Sequence, residues 1–144
     1  DKNAIRAALG LGADRIVVVG ALGGPRIDHA LANVGLLALP GLVGVPVCLL
    51  HPTARLSLIS APNADGSPVH RRIPGPVGGV VSLLPQGDGV VGVTIHGLAY
   101  PLTDEPLPAG PARGLSNTRV VDDAAVTVRA GRLLVVEGPA TLST

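Results

Sequence analysis

Apolar residues in this chain come in short β-branched runs cut apart by glycine and proline. Beyond about His51 no stretch longer than a turn keeps the 3.6-residue spacing of a helix. That texture requires a sheet-rich fold over most of the length. Seven runs read as strands: Arg55–Ile59, Val69–Ile73, Val80–Leu84, Val90–His96, Leu98–Leu102, Ala125–Arg129 and Leu133–Glu137. Within Val91 to Ile95, valine and isoleucine alternate with Gly92 and Thr94, the period of a strand with one face in a core. Ala130-Gly131 reads as a tight hairpin between the last two runs, glycine supplying the positive φ of such turns. Short strands at this spacing predict an antiparallel β-sandwich.

The first fifty residues have a different pattern. Ala4–Leu11 reads as a short helix, with Ile5, Ala8 and Leu9 on one face, Asn3 as its N-cap, and Gly10 and Gly12 ending it. Arg15–Val19 and Val47–Leu50 are continuous apolar runs, as in strands covered on both faces of a parallel sheet. Between them Asp28–Leu39 reads as a helix with Leu31, Val34 and Ala38 on one stripe and Pro40 as its stop. The order helix, strand, helix, strand predicts a partial Rossmann-like α/β layer over residues 1–53, followed by the sandwich over 54–144. Two parallel strands are a poor folding unit alone, so a further stretch of protein or another chain is expected to complete that sheet.

Composition narrows the function classes. Apolar residues make up 47% of the 144, yet there is no Phe, Trp or Met and Tyr100 is the one aromatic. The core is therefore built of Val, Leu, Ile and Ala, and with one aromatic side chain base stacking is nearly excluded as a binding mode. Charged residues are 15% with a net charge of +1, which gives neither nucleic acid nor an anionic membrane surface a basic face to bind. Residues 30–50 carry no charge and could span a bilayer by length, but Pro40, Pro46, Gly35, Gly41 and Gly44 divide them into helix, loop and strand. Cys48, alone and set among Val47, Leu49 and Leu50, reads as a buried inert thiol and rules out an intrachain disulfide. No basic stretch, apolar run and cleavage motif open the sequence, and a cytoplasmic location is the expectation.

Two polar clusters stand out. In Gly20–Asn33 a strand ends in a glycine-rich turn before a helix, which places backbone N–H groups and the positive helix end at one spot, an arrangement that favours phosphate. Arg26 adds a fixed charge with bidentate geometry. Asp28 could hold a metal ion or cap the helix, His29 could hydrogen-bond a phosphate, and Asn33 lies one turn further on. Gly20-Ala21-Leu22-Gly23-Gly24 matches neither G-x-G-x-x-G nor the Walker pattern. The plainer alternative is a tight turn with Asp28 as cap and Arg26 solvated. The second cluster, Gly114-Leu115-Ser116-Asn117-Thr118, reads equally as a turn whose side chains bond the local backbone. His51, His70 and His96 have no metal-ligand spacing and read as surface or strand residues. Asp104-Glu105 and Asp122-Asp123 read as solvated turn charge.

Four ordered motifs together resemble the thiamine pyrophosphokinase family: Gly23-Gly24-Pro25-Arg26-Ile27-Asp28-His29 with Asn33, Gly78-Gly79-Val80-Val81-Ser82-Leu83-Leu84-Pro85, Gly97-Leu98-Ala99-Tyr100-Pro101-Leu102, and Gly114-Leu115-Ser116-Asn117. The resemblance implies an α/β domain followed by a thiamine-binding sandwich, working as a homodimer. It also implies transfer of a diphosphoryl group from ATP to the thiamine hydroxyl, with Mg²⁺. Arg26, Asp28 and His29 would then be catalytic. Gly23, Gly24, Arg26 and Asn33 would hold ATP, while Ser116, Asn117 and Thr118 would hold thiamine in a cleft completed by the other subunit. The family's D-x-D metal segment is not in these residues, which leaves Asp28 as the one metal candidate. A catalytically inactive thiamine- or nucleotide-binding module is the alternative. Pro25 lengthens the first motif by one residue relative to its shorter form.

Overall fold

The computed structural model describes residues 1–139, so residues 140–144 of the expected second domain lie outside the described residues. The chain divides into two compact units, Asp1–Leu58 and Ile59–Thr144. The sequence places a boundary between residues 53 and 54; the division between units falls a few residues later, inside a strand.

The first unit opens with helix α1 (Lys2–Gly10). Its N-cap is Asp1 rather than Asn3: the Asp1 carboxylate accepts from the backbone N–H of Asn3 at 2.6 Å and of Ala4 at 3.1 Å, so the helix starts a half-turn earlier than expected. Strand β1 (Ile16–Val19) lies parallel to β2 (Val47–His51), in register from Ile16↔Val47 to Val19↔Leu50. Between them helix α2 (Ile27–Gly35) is followed by two 3₁₀ turns, Leu36–Ala38 and Pro40–Leu42. The sequence pattern suggested one helix to Leu39, but beyond Gly35 the chain tightens into 3₁₀ turns on either side of Leu39. Ile5, Ile16 and Leu42 form the buried centre, with Leu9, Val18, Leu36 and Val47 packed against it. β2 turns back into β3 (Ala54–Ala61), antiparallel, with His51↔Ala54 as the last pair.

Two expectations for this unit are corrected. β1 is covered on one face only, Ile16 being buried while Val17 and Val19 are exposed. The stripe on α2 is not a core stripe either, since Leu31 is 66% exposed and no α2 residue is buried. Both runs are apolar, but the described residues supply nothing to lie over these faces. Cys48 is buried and free, as expected. No described helix is long and apolar enough to cross a membrane.

The second unit is built on two long strands. β5 (Val80–His96) has 17 residues and β8 (Ala125–Glu137) has 13, paired antiparallel from Val81↔Glu137 to His96↔Ala125. β4 (Val69–Arg72) pairs with β8, while β6 (Glu105–Pro108) and β7 (Asn117–Thr118) pair with β5, all antiparallel. Strand pairing thus gives a mixed sheet of eight strands with few helices.

Four of the runs read as separate strands are therefore halves of two. Ala130-Gly131 is not a hairpin but lies within β8, opposite a register shift in which Gly87 to Val90 of β5 face Gly131 alone. Gly87, Gly89 and Gly131 all have positive φ, and a Cβ on Gly131 would sit 2.8 Å from the Gly89 carbonyl oxygen. The glycines that mark a turn in the sequence are where two backbones cross too closely for a side chain. Both halves of each strand contribute to one buried cluster: Val81, Leu83, Val93 and Ile95 from β5, and Val126, Val128, Leu133 and Val135 from β8. At roughly 1.5–3 kcal/mol for each fully buried aliphatic side chain, this cluster is the main stabilising element of the unit. Leu98–Leu102 is not a strand. It makes one bridge, Leu98↔Arg119, and its apolar character reflects the burial of Leu98 and Leu102 rather than sheet pairing.

Candidate functional site

The glycine-rich turn follows the carboxyl end of β1. Gly20, Gly23 and Gly24 all take positive φ, which suits glycine and leaves the backbone uncovered. Asn33, on the second half of α2, donates its side-chain N–H to the carbonyl of Ala21 at 2.8 Å. That bond ties the turn to the helix. Asn33 acts on the turn's shape, with its amide already engaged.

Arg26 is the N-cap residue of α2, in extended conformation and with no side-chain cap bond, and Asp28 lies in the first turn. The two side chains form a fork: Arg26 Nε donates to Asp28 Oδ1 at 2.9 Å and Nη2 donates to Oδ2. Each holds the other charged. The Asp28 carboxyl is lowered chiefly by the Arg26 bond, and the guanidinium is raised by the same bond. Both are largely exposed, so the pair contributes little stability. Its effect is to aim Arg26 and to occupy both oxygens of Asp28. His29 is exposed on the same helical turn, and Gly23 and Gly24 are exposed before it. One residue that the sequence left among surface histidines also reaches this place: His51, at the end of β2, brings Nε2 within 3.8 Å of where a Gly23 side chain would begin. The signal available in the sequence was its position at the carboxyl end of the second parallel strand.

The second unit brings the other three motifs to one corner. Gly114 accepts from the Leu83 N–H at 2.8 Å, and a Cβ there would lie 2.2 Å from the Leu83 carbonyl oxygen. The Ser82 hydroxyl accepts from the Ser116 N–H at 3.0 Å, which supports Ser116 in left-handed backbone at φ 57°. Asn117 is buried and held by three bonds: its oxygen accepts from the N–H groups of Tyr100 and Thr118, each at 3.0 Å, and its amide donates to the Tyr100 carbonyl at 2.9 Å. The Ser116 side chain is exposed beside it, and Thr118 is half-buried. Tyr100, clamped at both its backbone groups by Asn117, is 73% exposed as a residue, although it is the only aromatic in the chain.

Arg119, which belongs to none of the sequence motifs, is buried directly after this cluster. Nε donates to the Ile73 carbonyl at 3.0 Å and Nη2 to the Glu137 carboxylate. Gly75 and Gly79 make room for it, since a Cβ on either would come within 2.7 Å of the guanidinium. Burial pushes the Arg71 guanidinium down, with Glu137 opposing that shift. Among the described residues no group of three or more His, Cys, Asp or Glu side chains could hold a metal ion. Asp28, whose oxygens each accept from Arg26, stands outside any such group, so the described residues by themselves do not make a magnesium site.

Residues 70–135 match the family described as thiamin pyrophosphokinase, vitamin B1 binding domain. No curated protein matches the chain in sequence. Among solved structures, thiamine pyrophosphokinase from Bacillus subtilis superposes with a TM-score of 0.82 at 22% identity, over 95% of this chain and 61% of its own. Thiamin pyrophosphokinase from Geobacillus thermodenitrificans gives 0.81 at 22% identity, over 99% of this chain and 62% of its own. A thiamin pyrophosphokinase family protein from Enterococcus faecalis gives 0.74 at 25% identity, over 92% and 59%. This chain thus spans about three-fifths of the length of these relatives. It resembles thiamine pyrophosphokinase in sequence across the vitamin B1 binding domain, and in fold along nearly its whole length.

Proposed function

We propose that this chain is the larger part of a thiamine pyrophosphokinase, a Rossmann-like layer followed by a thiamine-binding β-sandwich, which transfers diphosphate from ATP to thiamine. The match of residues 70–135 to a vitamin B1 binding domain carries the reading. In this chemistry the thiamine hydroxyl forms a bond to the β-phosphorus of ATP while the bond from that phosphorus to the AMP oxygen breaks. Catalysis of such a step is mostly positioning and neutralisation of charge. Arg26, His29 and the N–H groups of Gly23 and Gly24 are suited to hold the polyphosphate, with Asp28 aiming Arg26 and Asn33 fixing the turn. Ser116 presents its hydroxyl to thiamine. Asn117 fixes the local backbone, and Thr118 borders the cluster. The reading carries with it a homodimer in the cytoplasm, where ATP is available, and Mg²⁺ accompanying the nucleotide.

The test is to incubate the complete polypeptide that contains this chain with thiamine, ATP and Mg²⁺ and to separate the products. AMP and thiamine diphosphate in equal amounts are expected. Their absence under conditions where the protein is folded would sink the reading. A second reading, a thiamine-binding module without turnover, is favoured by one observation: the carboxylate nearest the glycine-rich turn is closed by Arg26. Calorimetric binding of thiamine without AMP release would support it.

A further inference from the structure

We propose that His51 is a phosphate-binding residue, a neutral imidazole that donates its Nε2–H to a phosphoryl oxygen seated in the Gly20–Gly24 turn. The inference rests on the reading above that this turn receives the polyphosphate of a nucleotide. It begins from register. β1 and β2 are parallel and Val19 pairs with Leu50, so the next residues, Gly20 just past β1 and His51 as the last residue of β2, lie at the same end of the sheet. Ligands of open α/β sheets bind beyond the carboxyl ends of the strands.

The ring's orientation then follows from its partners. The Thr53 backbone N–H lies 3.2 Å from Nδ1 and can only donate, so Nδ1 is an acceptor. The Thr53 hydroxyl also reaches Nδ1, at 3.0 Å. With Nδ1 accepting, the proton of the neutral ring sits on Nε2. Nε2 itself has no hydrogen-bond partner among the described residues, although His51 is half-buried. It faces Gly23, 3.8 Å from the position of a Cβ that glycine lacks. A donor fixed in advance by a bond on its other nitrogen need not reorganise when an anion arrives. Arg26 comes to the turn from the helix side with part of its guanidinium committed to Asp28. His51 comes from the strand side with a free N–H.

The experiment uses the complete polypeptide and two probes, inorganic pyrophosphate and an ATP analogue with a methylene bridge between the α- and β-phosphorus atoms. His51→Ala is expected to weaken both about tenfold, the scale of one hydrogen bond to a charged group, and to raise KM for ATP more than it lowers kcat. His51→Gln, which keeps an N–H at similar reach, is expected to restore affinity to within about threefold. Thiamine affinity should be unmoved in both variants. Nitrogen-15 spectra of the unaltered protein should show the proton on Nε2 and a shift of that resonance when pyrophosphate is added. Unchanged analogue affinity in His51→Ala, a proton found on Nδ1, or an Nε2 signal blind to pyrophosphate would each overturn the inference. An equal loss of thiamine affinity would make the effect structural and overturn it too. If thiamine diphosphate forms but His51→Ala binds normally, the enzymatic reading stands and His51 is excluded. If His51→Ala loses pyrophosphate and no thiamine diphosphate ever forms, His51 stands and the thiamine reading fails.

Discussion

Arg26 and Asp28 are two residues apart in sequence, and the extended N-cap conformation of Arg26 folds its side chain back onto the carboxylate of the first helical turn. The carboxyl is held below its ordinary value, so the pair is intact above the usual aspartate range and opens as pH falls through the lowered value. A carbon-13 titration of Asp28 should therefore give a midpoint below that of an aspartate in a short peptide, and in Arg26→Ala the midpoint should return toward it. In the complete enzyme Arg26→Ala is expected to lower turnover roughly 10²-fold, the scale of losing one charge-stabilising donor. Steady-state kinetics with ATP and thiamine measures this, and an unchanged rate would return Arg26 to a purely surface role. Asn117 works differently, because its three bonds are internal. Asn117→Ala leaves the Tyr100 and Thr118 backbone groups without partners and should cost about 2–3 kcal/mol by chemical denaturation.

The elements of the second unit depend on glycines that permit close approach. β5 and β8 run the length of the unit because Gly87, Gly89 and Gly131 let them cross and bend. Gly131→Ala puts a Cβ into the Gly89 carbonyl at a positive φ, and a loss of about 1–3 kcal/mol is expected on overpacking grounds. Urea unfolding measures this beside Ala130→Gly, which adds no atom at the crossing and is expected to cost at most about 1 kcal/mol. Gly114 is the same device between loop and strand, its missing side chain giving Leu83 its place. Helix α2 shows the opposite condition: its apolar residues Ile27 and Leu31 lie exposed among the described residues, so amphipathic spacing by itself did not locate the core.

At the scale of the molecule, the two units carry two distinct polar clusters, Gly20–Asn33 in one and Ser116–Thr118 in the other. On the proposed function their binding losses should separate. Arg26→Ala should weaken an ATP analogue and spare thiamine, whereas Ser116→Ala should weaken thiamine by roughly threefold to tenfold, as for one neutral hydrogen bond, and spare the analogue. Calorimetric titration of each ligand against each variant reads this directly. Arg119 joins Ile73 and Glu137 across the second unit with a side chain that is 2% exposed. Arg119→Leu leaves Glu137 without its buried partner and should lower stability by about 3–5 kcal/mol.

Local physics made much of this legible in advance. The β-branched runs, the helix–strand–helix–strand order of the first fifty residues, the parallel β1–β2 pair and the buried Cys48 follow from burial and periodicity, which any short window of sequence contains. The motif set in Gly78–Pro85, Gly97–Leu102 and Gly114–Asn117 was visible as words. Only the folded chain shows that they meet at one corner, through Ser82, Asn117 and Gly114. Which strands are continuous was likewise settled in three dimensions. A glycine with positive φ is equally a turn or a crossing until the partner backbone is in place, and Gly131 proved to be a crossing. Arg119 was hidden for the same reason: what its side chain does depends on Ile73 and Glu137, far from it in sequence, whereas His51 had a signal only in its place at the end of β2, and its approach to Gly23 needed the folded turn.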